Sequence, residues 1–344
     1  MKKSLSHSRT FALSHFRILV AALAIVLATA ACGGNPSGPP VRVTIPRSSG
    51  LNAATDSLAA HDIIGNAGMF KVYARWKGAD RRLKPGVYEF RRGTAWDDVI
   101  RKLVTGDVVK TRVVIPEGWT LRQIAARLAE TAGEPADSVL AALTSEAAVK
   151  RTGVPGPTLE GYVYPATYVF PLGTGVDRMV GEMVRNYKAA WTPEMRQRAQ
   201  ALGMSEREIV TLASIVEREA KVWSERPTIS AVYHNRLKRG MRLQADPTVQ
   251  YALGTQRARL LYRDIDSVAD SPYNTYRRAG LPPGPIASPS KGAIEAALNP
   301  AQVDYLYFVA RPNGTHVFTR TLAEHNAAKR ASQREARAAA PRAR

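Results

Sequence analysis

Residues 205–223 read SEREIVTLASIVEREAKVW and carry two glutamates, Glu217 and Glu219, two positions apart. Ser205 followed by Glu208 is a capping box that predicts a helix start. Ile209, Leu212, Ala213, Val216, Ala220 and Trp223 then recur at helical spacing on one face. Glu217 falls at one edge of that face, Glu219 at the other, and Arg218 points towards solvent. Side chains two apart on a helix diverge by ~200°, so the two carboxylates cannot address one substrate atom. This is not the paired-carboxylate arrangement of ordinary glycoside hydrolases. A single glutamate at the rim of an apolar face is partly desolvated, which helps it keep a proton and suits a general acid. The same positions equally suit boundary residues that pair with Arg218, Lys221 or Arg226.

Other chemistries find little support. The six histidines (His7, His15, His61, His234, His316, His325) show no metal-ligand spacing, and neither HExxH nor paired CxxC occurs. No P-loop or dinucleotide-binding glycine pattern is present, and Ser214 stands mid-helix without a nucleophile elbow. The expectation is chemistry without metal or cofactor.

The elements around the glutamates predict an α+β fold. Residues 41–59, VRVTIPRSSGLNAATDSLA, repeat at 111–129 as TRVVIPEGWTLRQIAARLA. Each copy runs from an alternating β-branched stretch through Pro46 or Pro116 into apolar residues at helical spacing, Leu121, Ile124, Ala125 and Leu128 in the second. Residues 83–90 read as a turn and strand, and 97–103 as a short helix. A strand–helix–helix–strand unit of this kind resembles the LysM module, a binder of N-acetylglucosamine polymers; a structural spacer is the plainer reading. Near residue 155 the texture shifts to aromatic–proline clusters, long helical patterns and a turn-rich stretch at 273–289. Residues 304–310 read as a buried strand pairing with 315–319 across a Pro-Asn-Gly turn.

Lys and Arg number 49 against 29 Asp and Glu, a net charge of +20 that favours polyanionic surroundings. The N-terminus argues against nucleic acid as the partner. A basic stretch precedes the uncharged run ILVAALAIVLATAA at 18–31, which meets Cys32, the single cysteine. That is an export signal. Fourteen residues rise ~21 Å as a helix, short of a hydrocarbon core of ~30 Å. Cys32 stands where a lipoprotein signal places its lipidated cysteine, and an uncleaved single span is the alternative. The chain is thus divided into an anchor (1–32), a Gly/Pro linker (33–40), a LysM-like region (41–150), a catalytic domain (151–328) and a basic tail (329–344).

Several blocks in fixed order resemble the endolytic murein transglycosylase, or YceG-like, family. They are LASIVEREA at 212–220, VYHNRL at 232–237, GMRLQADPTV at 240–249, LEGY at 159–162, YNTY at 273–276 and GLPPGPI at 280–286. The resemblance spans about residues 41–328. It implies a catalytic glutamate at Glu217 and a substrate groove near Glu160, Tyr162, Gln244, Asp246, Thr248, Asn274 and Tyr276. It also implies cleavage of the β-1,4 bond between N-acetylmuramic acid and N-acetylglucosamine inside peptidoglycan strands, leaving 1,6-anhydro ends. In that chemistry the substrate's 6-hydroxyl is the nucleophile, so one glutamate serves as acid and then base. Asp246 or the substrate's own acetamido group would stabilise positive charge. Tyr162, Tyr164, Tyr251, Tyr273 and Tyr276 are candidates to stack on sugars, with Asn274 and Gln244 bonding acetamido groups; core packing is the alternative for each tyrosine. The implied setting is the outer face of the cell membrane beside peptidoglycan synthases (penicillin-binding proteins). A non-catalytic peptidoglycan-binding module that recruits those synthases is the competing class.

Overall fold

The structure, a computed structural model, describes residues 36–47, 50–257 and 260–339. The expected anchor with Cys32 and the last tail residues lie outside them. Among the described residues no helix is long and apolar enough to cross a membrane.

The chain divides into two compact units. The first holds residues up to 111 together with 169–174. In it β1 (Ser37–Ile45), α1 (Leu51–Ala60), α2 (Ala67–Trp76), β2 (Gly86–Arg92) and α3 (Trp96–Thr105) follow in order. β1 and β2 pair antiparallel, Val43 opposite Tyr88 and Ile45 opposite Gly86. The two-residue period turns Val43 and Ile45 into a core with Leu58, Phe70, Val99 and Leu103. Residues 37–40, expected as linker, are already strand, with the register shifting between Ser37 and Val41.

β3 (Lys110–Ile115) pairs with β4 (Ala166–Pro171). The second unit holds residues 112–168 and 175–344, so most of the repeat's second copy sits there and not with the first. Its helices are α4 (Leu121–Ala132), α5 (Ala136–Thr144), α6 (Glu146–Thr152), α7 (Val176–Ala190), α8 (Pro193–Ala201) and α9 (Glu206–Glu219). After a 3-10 turn at Trp223–Glu225 come α10 (Arg226–Lys238), α11 (Asp246–Leu253), α12 (Tyr262–Ser267) and α13 (Lys291–Leu298). β5 (Tyr307–Ala310) pairs antiparallel with β6 (His316–Thr319), and α14 (Leu322–Ala339) closes the described chain. β5 is half-buried, not the buried strand its apolar run suggested.

α9 is the axis of the second unit. The capping box forms in full, Ser205 N–H donating to Glu208 Oε2 at 2.8 Å and Glu208 N–H to Ser205 Oγ at 3.3 Å. Burial runs unbroken from Ile209 through Val216, so the helix is enclosed on every side, beyond the single apolar face its sequence shows. Gly161, of the LEGY run, packs here at φ +82°, where a Cβ would lie 2.5 Å from Cβ of Pro285. Gly161→Ala is expected to destabilise the fold by about 2–3 kcal/mol through strain and overpacking, read as a lower urea midpoint. An unchanged midpoint would mean that the 285 loop moves freely.

Candidate active site

Glu217 sits in the last turn of α9 with its side chain 7% exposed. Its Oε1 accepts a hydrogen bond from Arg226 Nη2 at 2.7 Å. Oε2 accepts two from Ser290, from N–H at 2.9 Å and from Oγ at 2.5 Å. Of the competing pairings, that with Arg226 is the one that forms. Ser290 is the N-cap of α13, so Glu217 also faces the positive end of that helix. The hydroxyl is fully committed: it accepts from Arg226 Nη1 at 2.8 Å and Ala293 N–H at 3.1 Å, and gives its one proton to Glu217. A carboxylate offers about four lone-pair sites, and three are taken. The remaining one lies on Oε1, a single place for a travelling proton.

The turn at 116–119 covers this carboxylate. Gly118 has φ +71°, and a Cβ there would stand 3.7 Å from Glu217 Cγ. Gly118 N–H donates to Ser288 O at 2.8 Å and Ser288 N–H to Trp119 O at 2.8 Å, which pins the turn. Arg218, expected to face solvent, instead donates from Nη1 to Gly118 O at 3.2 Å. Glu117 on this turn is exposed, and its carboxyl is raised above the usual range by burial and then by the charge of Glu217, with Arg226 opposing. Sequence reasoning passed over Glu117 and Ser290. The signal for Glu117 was the repeat itself, whose second copy has Glu-Gly-Trp-Thr where the first has Arg-Ser-Ser-Gly.

Glu219 diverges as its spacing requires. Tyr233 Oη donates to its Oε1 at 2.9 Å, and burial followed by the charge of Asp246 pushes it up to about 7. Asp246 in turn accepts from Tyr276 Oη at 2.5 Å. These four form a second cluster, with no bond to Glu217. Asp246 and Tyr276, expected in the groove, are therefore grouped around Glu219.

The other expected groove residues scatter. Tyr162 is fully buried, edge-on to Tyr187 at 5.2 Å, so it has no face to offer a sugar. Thr248 is fully buried, donating to Ala245 O at 2.7 Å and sharing a hydrogen bond with Thr275 Oγ1 at 2.9 Å. Asn274 is fully buried too; its Nδ2 donates to Ile265 O and Val268 O at 2.9 and 3.0 Å. Both hold turns together. Gln244 is exposed and takes φ +46°, a left-handed conformation rare outside glycine. Among the described residues no cluster of three or more His, Cys, Asp or Glu could hold a metal.

Glu160 is 4% exposed. Both its oxygens accept from the N–H of Leu121, first residue of α4, at 2.9 and 3.0 Å. It borders a cavity of about 440 Å³ with Arg122, Arg218, Gln250 and Tyr251. Burial pushes its carboxyl from 4.5 to about 7, against the opposing bonds from Leu121 and Tyr251. Between those values the native chain holds a proton that the unfolded chain has released. The stability this contributes is full below 4.5 and is lost as pH rises through about 7. Glu160→Gln should remove up to roughly 3 kcal/mol of the fall in unfolding free energy between about pH 5 and pH 8. Urea titrations at both pH values check this; parallel losses in both proteins would acquit Glu160. Glu219, with the same sign, keeps part of the slope in the variant.

The profile of the YceG-like family matches residues 43–331. A Bacillus subtilis protein named endolytic murein transglycosylase is 37% identical over 308 residues, covering 84% of each chain. A Streptococcus pneumoniae D39 protein of the same name is 31% identical over 299 residues; the match covers 78% of this chain and 54% of that longer one. The crystal structure of a yceG-like protein from Listeria monocytogenes superposes with a TM-score of 0.58 at 35% identity, over 85% of this chain and 99% of that one. The chain belongs to the YceG-like family.

Proposed function

We propose that this protein is an endolytic murein transglycosylase with Glu217 as its proton carrier. The carrying observation is the Glu217 carboxyl in the last turn of α9, almost buried, accepting three hydrogen bonds and left with one open lone pair on Oε1. The names of the Bacillus and Streptococcus relatives support the reaction class. In this reading the proton on Oε1 passes to the glycosidic oxygen between N-acetylmuramic acid and N-acetylglucosamine as that bond breaks. The carboxylate then takes the proton of the muramic acid 6-hydroxyl as that oxygen closes on C1, giving the 1,6-anhydro end. Arg226 and the N-terminus of α13 stabilise the charge that appears on Glu217 between the two steps. No second carboxylate is required, because the nucleophile belongs to the substrate.

The export-type N-terminus and the +20 charge support work at the outer face of the membrane, on nascent strands beside the synthases that make them. The strand–helix–helix–strand order of the first unit supports glycan contact there. The test is incubation of the full chain with uncrosslinked strands and identification of products by mass spectrometry. Internal fragments with anhydro-muramic ends uphold the reading. Reducing ends would make the protein a hydrolase, and uncut but bound strands would make it a binding module.

A further inference from the structure

Trp223 is out of place for a core residue. Its spacing puts it on the apolar face of the helical pattern, yet α9 stops at Glu219 and Ala220 leaves with ψ 106°. The 3-10 turn that follows carries the indole outward, 64% exposed. It is not loose there. The guanidinium of Arg226 lies over the ring at 4.3 Å from its centroid, while most of the indole stays accessible to solvent. Gly292 keeps the packing close: a Cβ at that position would approach Arg226 Nη1 to 3.2 Å and Trp223 Cζ3 to 4.0 Å. Arg226, 4% exposed, is the same side chain that binds Glu217 and Ser290 through its two terminal nitrogens.

Trp223 and Arg226 also line a cavity of about 630 Å³ with Glu194, Arg198, Glu295 and Asn299. That volume lies within the roughly 300–1,000 Å³ of small-molecule clefts. An exposed indole in a cavity also lined by carboxylates, guanidiniums and an amide matches the two surfaces of a pyranose. The sugar's C–H face packs on the aromatic ring, and its hydroxyl and acetamido groups need the polar rim. Two carboxylates in the rim offset its two guanidiniums, and the charge of Arg226 is already taken by Glu217, so a neutral sugar fits better than an anionic peptide stem.

We propose that the Trp223 cavity is a hexosamine subsite, in which an N-acetylglucosamine residue of the strand stacks on Trp223 and is held one side chain away from Glu217 through Arg226. The inference rests on the transglycosylase reading for its substrate class. Seating a sugar on the indole fixes the guanidinium beneath it, and with it the carboxyl that carries the proton.

Calorimetry of the full chain with a four-sugar N-acetylglucosamine oligomer tests it, alongside KM on strands stripped of peptide. Trp223→Ala should weaken oligomer binding and raise KM by about tenfold or more, and Trp223→Phe should recover most of both. The thermal midpoint of the alanine variant reports whether the fold survives, as the exposure of Trp223 leads one to expect. Oligomer binding by Trp223→Ala within about twofold of wild type, no binding by wild type, or binding that requires peptide stems would each overturn the subsite. The two readings separate cleanly. Wild type that binds through Trp223 but cuts nothing keeps the subsite and loses the transglycosylase. Strands cut equally well by Trp223→Ala, with unchanged KM, do the reverse.

Discussion

Glu217→Gln is expected to lower strand cleavage by at least about a thousandfold, since a positioned general acid and base contributes roughly 10²–10⁴ and here one group fills both roles. Glutamine keeps the size of the side chain and can still accept through its one carbonyl oxygen, but its amide nitrogen must turn towards Arg226 or towards Ser290, donors both. The variant therefore loses the travelling proton and gains a donor–donor clash at a nearly buried position. Glu217→Asp keeps the acid but withdraws it by one methylene from Arg226 and Ser290, so it should recover a measurable part of the rate. Cleavage is read by product masses over time, with circular dichroism confirming the fold. Glu217→Gln within about tenfold of wild type would remove Glu217 from the chemistry. Attention would then pass to Glu219, raised to about 7 beside Asp246, or to Glu117 above the site.

Much of the scaffold was legible from residue pattern, because it depends on neighbours in sequence. The capping box at Ser205, the buried stripe of α4 and the pairing of β5 with β6 all follow from local period and turn chemistry. The divergence of Glu217 and Glu219 is helix geometry, and it held. What could not be read there depends on distance along the chain. Ser290 lies 73 residues from the carboxyl it serves, and no periodicity links a helix N-cap to another helix's last turn. Trp223 was misplaced because nothing at Ala220 announces a stop; neither glycine nor proline ends α9. Tyr162, Thr248 and Asn274 stand among the groove candidates, and a motif does not show which of its residues are fully buried. The division at 111/112 falls inside β3, where no linker composition marks it.

Arg226 carries the second large effect. Arg226→Met should destabilise the protein by about 3–5 kcal/mol, because it leaves a nearly buried carboxylate without its counter-charge. It also removes the guanidinium on which Trp223 lies and a donor to Ser290 Oγ, so the activity should fall with the stability. Loss of packing and loss of charge are told apart by a double-mutant cycle in urea. Glu217→Leu alone strands the arginine, Arg226→Met alone strands the glutamate, and the double variant strands neither. The double should therefore be clearly more stable than the sum of the two single losses, by about 1–3 kcal/mol. Additive losses would mean that solvent screens the pair, contrary to the 4% and 7% exposure of the two side chains. Coupling together with a double variant close to wild type in stability would show that folding can spare the pair; cleavage cannot, since that variant has no group left to move a proton.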